Sequence, residues 1–374
     1  MFLYLWLVFI FLIGVSIGSF LNVCVARMPM EKSLLWPGSR CGKCFQPIAW
    51  FDNLPLIGYL FLLGKCRTCG VRFSMRYFMV ELLTGLGFLG LFYLEVVANI
   101  HDWPAGRDFD IRNGIYSIER WFGFGYHAIL FSLLMAASFC DLEGRQIPLQ
   151  LTLSGTLIGI LGATLLPWPF PFTETEVLKD IHDHLANQKL LVSNQDLSSS
   201  WWLLRDDVNP RESLHPWPVW WPLPFDLQSG TWQTGLLTGI VGALVGTFLL
   251  RGISFLFSTG LGKEALGLGD ADLMMMAGAF IGWQLVVVAF FVSVIPALFV
   301  GIFQMIVSKD SSMPFGPSLA MGVLITLLGW EWFGPRLKII FFSYQIMLAL
   351  IVLGGAFMLA SSFMLRKKKK EPAK

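Results

Sequence analysis

Two cysteine pairs, Cys41-Gly-Lys-Cys44 and Cys66-Arg-Thr-Cys69, lie about twenty residues apart in a basic stretch between two long apolar runs. That spacing suits a tetrahedral four-thiolate zinc knuckle. Four thiolates close the coordination shell, so the zinc expected there is structural rather than catalytic. It would stabilise a segment with little core of its own, by on the order of 10–16 kcal/mol. Two aspartates form a second candidate group. Asp141 follows the apolar run ending Ala-Ser-Phe-Cys140, and Asp270 closes Gly267-Leu268-Gly269-Asp270 and opens the next apolar run. Two facing carboxylates can work as general acid and base around one water. At about 5 Å and an effective dielectric of about 20 they repel by roughly 3 kcal/mol, enough for the pair to share one proton. The ionised member takes a proton from water and the neutral one polarises a carbonyl.

The elements that must hold these groups are membrane helices. Of the 374 residues 55% are hydrophobic and only 14% charged, well below a soluble domain's usual quarter. Apolar runs at 2–23, 78–98, 121–140, 150–169, 231–250, 271–283, 284–307, 316–333 and 343–365 predict about nine transmembrane helices. The piece at 271–283 is too short to cross straight. The run Phe2 to Val23 has no basic segment before it and no small-residue cleavage site after it, so a retained helix is expected. The expected fold class is an all-α polytopic membrane protein with a small zinc-binding cytoplasmic domain between the first two helices.

Basic residues set the expected orientation. Residues 25–77 carry eight Lys/Arg against Glu31 and Asp52, and the tail holds Arg366 followed by Lys367 to Lys370. Both should face the cytoplasm, the tail as an anchor near anionic lipid. Nine crossings satisfy both ends and put Asp141 and Asp270 near that same face. Carboxylates at span ends are functional candidates. The plainer alternative is that Asp270 caps the helix it opens, with Glu143 and Asp272 ordinary boundary charges.

The organisation read from the chain is a first helix (1–24), a knuckle domain (25–77), helices two to four (78–170), a Trp- and Pro-rich extracytoplasmic insertion (171–230), helices five to nine (231–365) and a basic tail (366–374). The insertion holds Trp201, Trp202, Trp217, Trp220 and Trp221, suited to a membrane interface, and an acidic helical piece is expected near 174–191. His182 and His184 there read as a solvated polar stretch rather than metal ligands. Cys24 and Cys140 read as packing residues.

In chain order the motifs resemble the type IV prepilin peptidase family of bacterial membrane aspartic peptidases. They run from Gly18-Ser19-Phe20-Leu21-Asn22-Val23, through the paired cysteines enclosing Pro47 to Pro55, to Arg76-Tyr77 with Val80 to Gly85. Then come Asp141 to Pro148, Gly267 to Asp270, and Pro314-Phe315-Gly316-Pro317. The resemblance implies removal of the basic leader of prepilins or pseudopilins at the cytoplasmic face of the inner membrane, with Asp141 and Asp270 as catalytic aspartates. It also implies N-methylation of the new N-terminus from S-adenosylmethionine, which no spacing argument reaches. The expected partners are those substrates, the lipid bilayer and pilus or secretion machinery, and not nucleic acid. Asp272 stands where many members have Lys, so a more negative surrounding of Asp270 is expected. The segments 99–120 and 171–230 are long for the family. Three other readings stay open: a presenilin-type protease cutting inside the bilayer, a carboxylate-coupled transporter, and a zinc-bearing scaffold.

Overall fold

The computed structural model describes residues 2–101, 116, 118–165, 232–261, 267–307, 314–342 and 344–370. The segment at 171–230, with His182 and His184, lies outside them. The described elements are α1 (Phe2–Arg27), a 3-10 turn (Met28–Met30), α2 (Ile57–Phe61), α3 (Arg76–Leu91) running into a π-helical turn (Phe92–Val97), and α4 (Ile118–Leu142). There follow α5 (Leu149–Leu165), α6 (Trp232–Leu261), α7 (Leu268–Val307), α8 (Gly316–Phe342) and α9 (Tyr344–Lys370). No strand occurs among the described residues; the nearest approach is two isolated bridges in the knuckle segment.

Among the described residues, five helical stretches are long and apolar enough to cross a membrane: Phe2–Met30, Arg76–Val97, Arg120–Leu142, Trp232–Thr259 and Leu268–Ile302. Three more apolar stretches, Leu149–Leu165, Gly316–Trp330 and Gln345–Ser361, are shorter. The expectation of nine separate spans is therefore met only in part. The runs at 271–283 and 284–307 form one element, α7, broken at Gly282, whose φ of 81° and ψ of 173° leave the helical region. Glycine alone adopts such a conformation cheaply. The chain turns back at this break. Gly316, at the start of α8, touches Asp141, and Gly322, two turns on, lies directly against Ala289 and Ser293. Had α7 run straight, Ala289 would stand about 28 Å along the axis from Asp270, at 1.5 Å per residue, out of reach of that turn of α8.

Small residues let the helices approach closely, as membrane helix pairs require where no hydrophobic force drives them together. Gly14 and Gly18 of α1 pack on Gly85 and Glu81 of α3, and a methyl group at Gly18 would lie 2.7 Å from the Glu81 Cα. Gly242 and Gly246 of α6 lie against the backbone of Gly278 and Met274 on α7. The centre is the first half of α7, with Leu273, Met274, Met276, Ala277, Phe280 and Ile281 buried on all sides by α4, α5, α6 and α8. Large apolar residues such as Phe9, Phe248, Phe299 and Ile351 face outward, as a lipid-exposed surface demands. Cys24 and Cys140 are buried free thiols.

Candidate active site

Asp141 is the penultimate residue of α4 and Asp270 the third of α7. The two half-buried carboxylates are close enough to interact electrostatically. The fold thus brings together two residues far apart in sequence. The backbone amide of Gly316 donates to Asp141 Oδ2 at 2.7 Å. Gly316 is the first residue of α8, and the opening N–H groups of a helix lack partners within it. The Asp141 carboxylate satisfies one of them at the positive end of the helix dipole. On the other side the Gly267 backbone lies against the Asp270 carboxylate. Gly269 is closely approached by Ile147; a methyl group at that glycine would lie 3.2 Å from the Ile147 Cβ.

A half-buried ion cluster braces this end of the bundle. Glu143 pairs with Arg76 at the start of α3 and with Arg145 at 3.1 Å, and Arg145 Nη1 donates to Val25 O at 3.0 Å. Glu143 is therefore not a simple boundary charge: it joins the ends of α1, α3 and α4. Asp272 pairs with Arg251 of α6 at 3.3 Å. The negative surroundings expected around Asp270 are thus offset by a cation from the neighbouring helix, which spacing alone could not reveal. A cleft of about 220 Å³ opens beside the Asp270 turn, lined by Arg251, Ser254, Phe255, Ser258, Gly267 and Ala271 among others.

The knuckle segment joins the same end of the bundle. Glu81 of α3 accepts from the Leu56 amide at 2.7 Å, and Asn22 Nδ2 of α1 donates to Tyr77 O at 2.9 Å. The four cysteine sulfurs lie within 4.8 Å of one another. Each pair sits in the same tight loop: the Cys41 amide donates to Gln46 O and Phe45 N to Cys41 O, and the Cys66 amide donates to Val71 O and Gly70 N to Cys66 O. In both loops the residue after the second cysteine has positive φ, 57° at Phe45 and 67° at Gly70. The Cys44 and Lys43 amides draw the Cys41 thiol down to about 6, and those of Cys69 and Thr68 lower Cys66. Amides aimed at sulfur favour the thiolate of Cys41 and Cys66, the form that binds metal; at Cys44 the lowering by the Gln46 amide is outweighed by burial and the neighbouring sulfurs, which push that thiol up to about 11. Arg67 braces the second loop through a bidentate pair with Asp52, 2.5 Å at the shorter contact.

Sequence reasoning missed three side chains that the fold assembles. Glu95, His101 and His127 meet at the end of the bundle remote from Asp141, with ligand atoms within 4.8 Å of one another. Their signal was legible: Glu95 and His127 both fall within apolar runs, where ionisable residues are rarely incidental.

The fold and site define a class: polytopic helical membrane proteins with paired carboxylates at one end of the bundle. Residues 12–94 match the Bacterial Peptidase A24 N-terminal domain, which takes in the four cysteines, and residues 218–302 match the Type IV leader peptidase family, which takes in Asp270. Similar curated proteins carry the name prepilin leader peptidase/N-methyltransferase. That of Klebsiella pneumoniae is 30% identical over 75% of this chain and 87% of its own length. That of Pseudomonas putida is 26% identical over 88% and 93%, and that of Myxococcus xanthus 38% identical over 42% and 40%. No solved structure matches. The chain belongs to the type IV leader peptidase family.

Proposed function

We propose that this chain removes the leader of type IV prepilins or pseudopilins and then methylates the new N-terminal amine, with Asp141 and Asp270 as the catalytic dyad. The observation that supports the peptidase reading is that these two carboxylates lie at helix ends within electrostatic reach of each other, one held by the Gly316 amide. A water between them loses a proton to the ionised carboxylate as it attacks the scissile carbonyl. The neutral partner donates its proton to the carbonyl oxygen. As the tetrahedral intermediate collapses, the carboxyl that took water's proton gives it to the departing amine, and its partner, now ionised, takes a proton from one of the two hydroxyls, which restores the dyad. Helix-end placement suits a bond at the membrane surface: the pilin helix stays in lipid while its leader is drawn off. In this reading the dyad end and the knuckle face the cytoplasm, and the basic tail secures that orientation.

The cleft beside Asp270 offers the substrate one cation, Arg251, on an otherwise largely apolar and hydroxylic wall. The methylation half of the proposal follows from the names of the relatives; S-adenosylmethionine, the donor that the family resemblance implies, would enter as a second substrate. The four cysteines suit zinc by donor set, spacing and loop geometry. Such a metal holds the shape of residues 41–69, which α3 anchors through Glu81.

Mass spectrometry of a prepilin co-expressed with the chain tests both activities. The mature pilin should lack its leader and carry one added methyl. An unprocessed pilin would overturn the proposal, and a cut mapped inside the pilin's apolar helix would favour intramembrane proteolysis instead. For the knuckle, Cys44→Ser or Cys66→Ser should cost about one zinc equivalent per chain under reducing conditions. Undiminished zinc in both variants would exclude the cysteines as its ligands.

A further inference from the structure

We propose that Glu95, His101 and His127 form a second metal site, for a first-row divalent transition ion such as zinc or iron(II), buried at the end of the bundle opposite the aspartates. His127 and Asp141 share α4 and stand about 21 Å apart along its axis at 1.5 Å per residue. The site is therefore separate from the dyad and, lying at the opposite end of α3 from Arg76, from the cysteine knuckle that precedes that helix.

The local backbone is built to gather these side chains. Residues Phe92–Val97 continue α3 as a π-helical turn, a form frequent at functional sites. The Ala98 amide reaches Tyr93 O at 2.8 Å and the Ile100 amide reaches Leu94 O at 3.1 Å. Asn99 takes a positive φ of 50°. The chain so wound brings His101 back over Glu95, while His127 approaches from α4. Glu95 Oε1 lies 2.8 Å from His127 Nδ1 and 3.4 Å from His101 Nε2. Ligands about 2.05 Å from a metal stand about 2.9 Å apart at a right angle and about 3.4 Å apart at a tetrahedral angle. Both contacts pair the carboxylate with the imidazoles within hydrogen-bond reach, and the two separations are also those of ligands sharing one ion.

Burial adds a second, independent pointer. Glu95 is 0% exposed, and its Oε2 has no hydrogen-bond partner among the described residues. A carboxylate taken out of water is tolerated when it is paired or holds a metal. Two imidazoles and one carboxylate are a nitrogen and oxygen set that suits zinc and iron(II), and three protein ligands leave a coordination position open. Bound there, an ion would pin the end of α3 and the following loop to α4.

The test uses the full chain, purified under reducing conditions and counted for metal by mass spectrometry. About two equivalents per chain are expected. Glu95→Gln and His127→Gln should each bring the count to about one, while Cys44→Ser loses the other. Refilling metal-stripped wild-type protein with Co²⁺ needs no substitution. The knuckle should give thiolate-to-metal charge transfer, and the second site ligand-field bands without it. A single equivalent that shows only thiolate charge transfer would overturn the site. So would a second equivalent that survives both triad substitutions, since the metal would then lie elsewhere.

Discussion

Asp141→Asn and Asp270→Asn should each cut leader removal by at least about 10³-fold, toward the upper range of what a positioned acid or base contributes. Asparagine keeps the size of the side chain and its capacity to accept from a backbone amide, so the Gly316 contact can persist in Asp141→Asn. What disappears is the ability to exchange a proton. The two substitutions should not add: a dyad acts as a unit, and with one member gone the other has no partner to lose. The double variant should therefore be about as slow as either single one. Both variants should fold, because asparagine keeps the size of the side chain and adds no buried charge. The measurement is the cleavage rate on a purified prepilin in detergent or lipid, with a thermal melt of each variant beside it. Wild-type cleavage by either variant would falsify the dyad. Loss of cleavage together with loss of folding would be a structural effect, and the melt distinguishes the two.

Gly316→Ala should slow cleavage by about 10²-fold, the scale expected when a catalytic group is displaced by a fraction of an ångström to an ångström. An added methyl group would stand 2.8 Å from Asp141 Oδ2 and 3.1 Å from its Cβ. The carboxylate or the first turn of α8 must then yield, and with it the hydrogen bond that holds Asp141. Gly354→Ala is the matching control, since nothing lies within 4 Å of a methyl group placed there. It should leave the rate unchanged. Equal rates for wild type and Gly316→Ala would mean that the Gly316 amide does not position Asp141. A drop in the rate at saturating substrate, with little change in substrate affinity, is the pattern expected of a misplaced catalytic group.

Much of the site was legible because its signals are local. Paired cysteines at metal spacing and aspartates at the ends of apolar runs need only a short window of sequence to be seen. The late Pro314-Phe315-Gly316-Pro317 element was recognisable as a motif, yet its work was not. Gly316 acts on Asp141, 175 positions away, and no window spans that distance. Asp272 was misjudged for the same reason. Its charge looked uncompensated along the chain, and its partner Arg251 comes from the preceding helix across an antiparallel packing. The Glu95, His101 and His127 group went unnoticed because each looked solitary in its own segment.

From its sequence alone this protein is helical, membrane-embedded and equipped with thiolates and carboxylates, because hydropathy and short spacings are properties of neighbouring residues. Its tertiary structure decided that α7 turns back at Gly282, that α8 presents its first amide to Asp141, and that a second cluster gathers at the far end. Those outcomes depend on which helices touch, and the contacts are set by close approach of small residues and by burial of polar atoms summed over the whole bundle.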